Sequence, residues 1–170
     1  MDHFFVCVDA EELTFEARHR EIADEIARWE RETAVREGNP TFRSHVIVQS
    51  CCIETWFLGH RKMMRRSPTS PLLAEYRRFY DVRESDPEHM GAYRGFSTRA
   101  RFHQAYLQEM LLDQNPRLRY SKVHPGSVLD RDYLDALRER VASTDHLRSL
   151  KRLFEIWDTL GEVRSSPSAS

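Results

Sequence analysis

The sequence predicts an α/β fold in which a small parallel sheet precedes a mostly helical C-terminal half. Three observations carry this. Two short apolar runs rich in aromatic and β-branched residues, His3 to Val8 ("HFFVCV") and Ser44 to Gln49 ("SHVIVQ"), read as strands. The amphipathic stretch between them is long enough for the crossover that a parallel pair requires. After the second run, apolar residues recur at helical rather than alternating spacing.

Taken in order, the first run ends at Asp9 and reads as a buried strand. From Phe15 to about Arg36, Phe15, Ile22, Ile26 and Trp29 recur at helical spacing, while Glu21, Asp24, Glu25, Arg28 and Glu32 take the opposite face. "GNP" at Gly38 to Pro40 stops that helix, and the second strand follows. Beyond it, Glu54 to about Met64 begins the helical half, broken by "SPTSP" at Ser67 to Pro71. Leu72 to Tyr80 gives a short helix, and Glu84 to Gly95 an irregular connection. Ser97 or Thr98 caps a helix through Leu112 with Phe102, Tyr106 and Met110 on one face. "RLRYSKV", Arg117 to Val123, reads as a third, edge-like strand. Two closing helices, about Asp130 to Val141 and Asp145 to Leu160, present Tyr133, Leu134, Leu137 and Val141, then Leu147, Leu150, Phe154 and Trp157. The expected organisation is one domain over residues 1–161 and a disordered tail over 162–170.

Composition narrows the class. A chain of 170 residues, 40% hydrophobic and 31% charged, suits one soluble globular domain, and no apolar run approaches the roughly 20 residues that span a bilayer. The acidic flanks of the first apolar run argue against a secretory signal. Three cysteines, two of them adjacent, fit a reducing cytoplasm better than a disulfide framework, and their spacing speaks against zinc. The net charge of −1 conceals an asymmetry: Met1 to Glu37 holds eleven acids against five Lys/Arg, leaving 16 acids against 21 bases in the remainder. The bases cluster at His60 to Arg66, Tyr93 to Arg101 and Arg117 to Lys122. Such clusters suit phosphate contacts, although a charge run is also the ordinary form of a solvated face.

The residues with chemical potential fall at the carboxyl ends of the strands, where open α/β sheets gather ligand groups. "VDAEE" ends the first strand with Asp9 and continues into Glu11 and Glu12; Glu54 lies just past the second, inside "CCIETWFLGH". A lone carboxylate among apolar residues either turns outward or is used, because burying it unpaired costs several kcal/mol (about 3–5 when a partner is lost). With the strands adjacent, Asp9, Glu11 and Glu54 converge, and carboxylates at that distance require a cation to stay ionised together. Oxygen-only ligation favours Mg²⁺ or Mn²⁺ over zinc. The plainer alternative makes Glu11, Glu12 and Glu54 helix N-terminal residues favoured by the macrodipole.

The pattern "VCVDAEE", a helix, then "VIVQSCCIETWFLGH" resembles the core of the TOPRIM superfamily of topoisomerases, primases and overcoming-lysogenization-defect nucleases. It looks most like the small RloB-like proteins encoded beside ATPases in bacterial defence loci, which carry Asp-x-Asp after one strand and Cys-x-Glu-x-Trp-x-Leu-x-His after the next. Here these stand as Asp9 and Glu11, and as Cys52, Glu54, Trp56, Leu58 and His60, with Lys122 of "YSK" matching a later family lysine. The resemblance covers Met1 to His60 well and Arg117 to Trp157 loosely. It implies a Mg²⁺-dependent nuclease of anti-phage defence or its degenerate subunit, with Asp9, Glu11 and Glu54 as metal ligands, Glu54 and Lys122 catalytic, and nucleic acid or a partner ATPase as what it binds. Trp56 and Leu58 are expected to pack, and His60 to touch phosphate or to be a surface or capping residue. The second acid is Glu11 rather than aspartate, and no residue matches a further family glutamate from an earlier strand and helix; a truncated start, a partner or decay of the site would each account for that. The rivals are a non-catalytic module that docks on an ATPase or nucleic acid, and a purely structural α/β protein.

Overall fold

A computed structural model of the chain describes residues 2–37 and 42–165. β1 (Asp2–Asp9), α1 (Phe15–Glu37) and β2 (Phe42–Gln49) come first, then α2 (Ile53–Phe57), α3 (Pro71–Phe79), α4 (Arg99–Gln114), α5 (Arg131–Ser143) and α6 (Arg148–Ser165). Short 3₁₀ turns occupy Arg61–Met63, Pro87–His89 and Gly126–Leu129. The fold is α/β with a mostly helical C-terminal half, and the two strands run parallel, with Asp2 opposite Phe42 through to Asp9 opposite Gln49. The Gly38 to Pro40 stop lies outside the described residues, as do residues 166–170. Among the described residues no helix is long and apolar enough to cross a membrane.

Local chemistry sets the boundaries. The Thr14 hydroxyl accepts the Ala17 amide at the start of α1, Ser70 accepts from Leu73 at α3, and Thr98 from Arg101 at α4, each satisfying a donor the helix itself cannot. α4 buries Phe102, Tyr106 and Met110 as its periodicity requires, and the Phe102 and Tyr106 rings stand 5.2 Å and 5.5 Å from that of Tyr76 on α3. From α5 come Tyr133, Leu137 and Val141, and from α6 Leu150 and Phe154; Leu134 and Trp157 remain partly exposed. The core therefore lies in the helical half, and β2 joins it through Ile47 and Val48.

Five expectations need correction. β1 is not a buried strand: Phe4 is 52% exposed, and on the side away from β2 the described residues supply no strand to cover the edge. Trp29, on the apolar face of α1, is 47% exposed and stacks on Phe42 instead of entering the core. Arg117 to Val123 forms no strand. With no strand beside it, its backbone is satisfied locally, the Ser121 and His124 amides each donating to the other's carbonyl, while Gln108 Nε2 donates to the Tyr120 carbonyl. The helix expected over Glu54 to Met64 ends at Phe57, whereas α6 reaches Ser165, past the boundary expected at residue 161.

Gly59 follows directly on the C-cap of α2 and is tightly enclosed. A Cβ there would meet the Trp56 carbonyl oxygen at 2.7 Å and Leu137 Cδ2 at 2.9 Å, and would strike Leu147 Cδ1 as well. The chain passes this point only without a side chain. Gly59→Ala should therefore cost about 2–3 kcal/mol by overpacking, lowering the midpoint of thermal unfolding by roughly 5–10 °C when followed by circular dichroism.

Candidate functional site

The parallel register places the ends of β1 and β2 side by side, and the backbone stays paired beyond them: the Ala10 amide donates to the Gln49 carbonyl and the Glu11 amide to that of Cys51. Asp9 thus faces the turn that leads into α2. Glu54, in the first turn of α2, is fully buried. The Tyr120 hydroxyl donates to Glu54 Oε1 at 2.9 Å, while Oε2 has no hydrogen-bond partner. Lys122, two residues beyond Tyr120, brings its Nζ to 3.8 Å from Asp9 Oδ2 and 4.0 Å from Glu54 Oε2. Residues 9, 54 and 122 therefore meet at one point.

The surroundings set the charge states. Burial raises the Asp9 carboxyl above its ordinary range; Lys122 opposes this, the neighbouring Glu54 and Glu11 charges reinforce it, and the Ile53 amide counters it again. Burial together with the Glu54 carboxylate pushes the Tyr120 phenol up, so the hydroxyl stays a donor. Lys122 is 56% exposed, so its ammonium is hydrated on one side and faces the acids on the other.

The acids after β1 divide. Glu12 accepts the Arg99 amide at 3.0 Å and its Nε at 3.1 Å, at the first residue of α4; the Arg99 amide contact chiefly lowers its carboxyl. Glu12 therefore satisfies the start of a helix. Glu11 is exposed, its backbone lies in the left-handed region at φ 53°, and its carbonyl accepts from Arg99 at 2.6 Å. Arg18 Nε donates to the Asp9 carbonyl at 3.1 Å, so Arg18, Arg99 and Lys122 all touch the segment from Asp9 to Glu12. The trio Asp9, Glu11 and Glu54 is not drawn within 4.8 Å of one another, whereas among the described residues Cys51, Cys52 and His103 are.

Asp9 and Glu54 offer hard oxygens, one of them a buried acceptor without a hydrogen bond, and this donor set suits Mg²⁺ or Mn²⁺, which commonly take one or two carboxylates and complete their shell with water and phosphate. Lys122 already supplies a positive charge at the same oxygens, so a divalent ion and the ammonium compete for them.

The other motif residues have different roles. Trp56 and Leu58 are buried, and the indole N–H of Trp56 donates to Ser149 Oγ at 2.7 Å, tying α2 to α6. His60 is buried rather than at the surface: it stands at the N-cap position of the Arg61–Met63 turn without a side-chain cap hydrogen bond, its ring 4.4 Å from that of Tyr133. Its Nδ1 has no partner, and burial lowers its basicity, leaving the ring neutral near pH 7. Sequence reasoning missed Tyr120 as the partner of Glu54, although "YSK" lay in view, and it missed the approach of His103 to the adjacent cysteines, since 51 positions separate His103 from Cys52. The chain matches no protein-family model, no curated protein and no solved structure.

Proposed function

We propose that this is a TOPRIM-like, RloB-like protein of bacterial anti-phage defence that hydrolyses phosphodiester bonds in nucleic acid with the help of Mg²⁺ or Mn²⁺. The observation that supports the reading most is the meeting of Asp9, Glu54 and Lys122, with a fully buried carboxylate oxygen left without a hydrogen bond. A buried acceptor without a hydrogen bond is open to a ligand. Asp9 and Glu54 would hold the divalent ion, which supplies charge neutralisation and a more acidic water. Tyr120 fixes the Glu54 carboxylate through Oε1 and leaves Oε2 directed to the rim. Lys122, half exposed, can turn from the carboxylates toward a phosphoryl oxygen and stabilise the charge that develops there. Arg18 and Arg99 add positive charge where a phosphate backbone would cross the loop.

The second reading is a module that docks on a partner ATPase or nucleic acid without catalysis. It is favoured by the uncovered flank of β1 and by the apolar pocket of Phe4, Ile26, Trp29 and Phe42 beside it. One assay separates the two. Single- and double-stranded DNA and RNA are incubated with the protein and Mg²⁺ or Mn²⁺, alongside Asp9→Asn and Lys122→Met. Hydrolysis that requires the cation and falls at least about 100-fold in both variants, with unchanged circular dichroism, supports catalysis. Cation-dependent cleavage absent from every substrate, or untouched by both substitutions, leaves the docking module.

A further inference from the structure

We propose that Cys51, Cys52 and His103 form a structural zinc site that fastens the β2–α2 turn to α4. The inference is independent of the hydrolytic reading, because none of its ligands belongs to the Asp9, Glu54 and Lys122 group.

The backbone makes the first argument. Side chains of successive residues in extended chain point to opposite sides, so two adjacent thiols do not normally reach one centre. Cys52 is extended, with φ −156° and ψ 171°, but Cys51 sits at φ 65°, in the left-handed region that a non-glycine residue enters at a cost. That departure breaks the alternation. Both sulfurs and a ring nitrogen of His103 come to lie within 4.8 Å of one another, and all three residues are buried.

The second argument is the state of the histidine. His103 Nε2 lies 3.3 Å from the Met90 carbonyl, which can only accept, so this nitrogen carries the proton. Nδ1 is then left with its lone pair toward the cluster. A backbone carbonyl holding the far N–H is the usual support of a metal-bound imidazole, since it fixes the tautomer and the ring plane. The Thr55 hydroxyl donates to the Nδ1 lone pair at 2.7 Å and lies 3.6 Å from Cys52 Sγ, so an ion bound here would displace this hydrogen bond. Two sulfurs and one nitrogen make three donors of the kinds zinc accepts, and a water would complete the tetrahedron.

Charge decides between metals. A buried centre with two thiolates is neutral around a divalent ion and would retain a negative charge around a monovalent one, which the low-polarity surroundings disfavour. Soft sulfur ligands exclude the hard cations suited to Asp9 and Glu54. Binding consumes no oxidant: each thiol releases its proton to solvent as its sulfur joins the ion. Because the ligands are buried, zinc would enter during folding rather than afterwards.

The test uses the full chain, produced in zinc-supplemented medium and purified under a thiol reductant. Elemental analysis should find about one zinc per chain, falling below about a tenth in Cys52→Ser and in His103→Gln. If those variants do not fold, wild-type protein refolded with Co²⁺ decides: a sulfur-to-cobalt charge-transfer absorption saturating at one equivalent supports the site. Folded, fully reduced protein that takes up neither ion overturns the proposal. So does a disulfide between Cys51 and Cys52, assigned by peptide mapping so that pairing through the exposed Cys7 is distinguished.

Discussion

Replacing Arg140 with methionine should cost about 3–5 kcal/mol, the range seen when one partner of a buried charged network is removed. Arg140 lies on α5 with 2% of its surface exposed, and its guanidinium is the junction of three loops. One terminal nitrogen donates to the carbonyls of Gly59 at 3.0 Å and Val82 at 2.8 Å; the other donates to the Ser85 carbonyl at 2.7 Å and lies 2.9 Å from His146 Nδ1. Burial lowers its pKa to about 10, so it still carries its charge at neutral pH. No carboxylate touches it directly; the Asp86 charge acts from further away. Methionine fills much of the space but leaves the buried Gly59 and Val82 carbonyls and the half-buried Ser85 carbonyl without this donor. Thermal unfolding of the variant should begin roughly 10 °C or more below the parent. A shift within about 2 °C, the scale of an ordinary surface change, would show that these loops hold without the guanidinium.

Glu54→Gln separates chemistry from stability at the buried acid. The amide retains an oxygen for the Tyr120 hydroxyl and nearly the same volume, while removing a charge the interior does not favour. Folding stability should stay within about 1 kcal/mol of the parent or rise. Cation-dependent cleavage should fall at least about 100-fold, equivalent to about 2.7 kcal/mol of barrier, because a neutral amide neither holds a divalent ion nor balances Lys122. Initial rates across a Mg²⁺ titration and a thermal melt on the same sample give both numbers. Cleavage at the parental rate would remove Glu54 from the chemistry; a large loss of stability with no loss of rate per folded molecule would make it a structural acid.

The parallel pair and the meeting of Asp9 with Glu54 were legible in the sequence because both follow from two features that single sequences display well, apolar runs and crossover length. Lys122 was legible only through resemblance to a family motif, since nothing local directs a lysine on a turn toward acids 68 and 113 positions away. The exposure of β1 was hidden because "HFFVCV" has the same composition whether its flanks are covered or open. Arg140 was hidden for the reverse reason: an arginine at a polar position of an amphipathic helix looks solvated, and the carbonyls that claim it come from loops with no periodicity. The third strand failed because strand preference is decided by a neighbour to pair with, and Arg117 to Val123 has none in the described structure.

The open flank of β1 has a consequence for how the rim of charges holds together. Glu54 and Tyr120 are embedded in the helical core, while Asp9 is carried by a strand held mostly by β2, with Phe5 its apolar contact to the core. Partial opening costs least where few apolar contacts must be broken, so β1 can detach while the helices remain closed. Asp9 would leave with it, and the constellation would dissolve before the globule does. Its persistence is then set by the grip between two strands, and whatever clamps β1 in place also determines how long the carboxylates and the ammonium stay together.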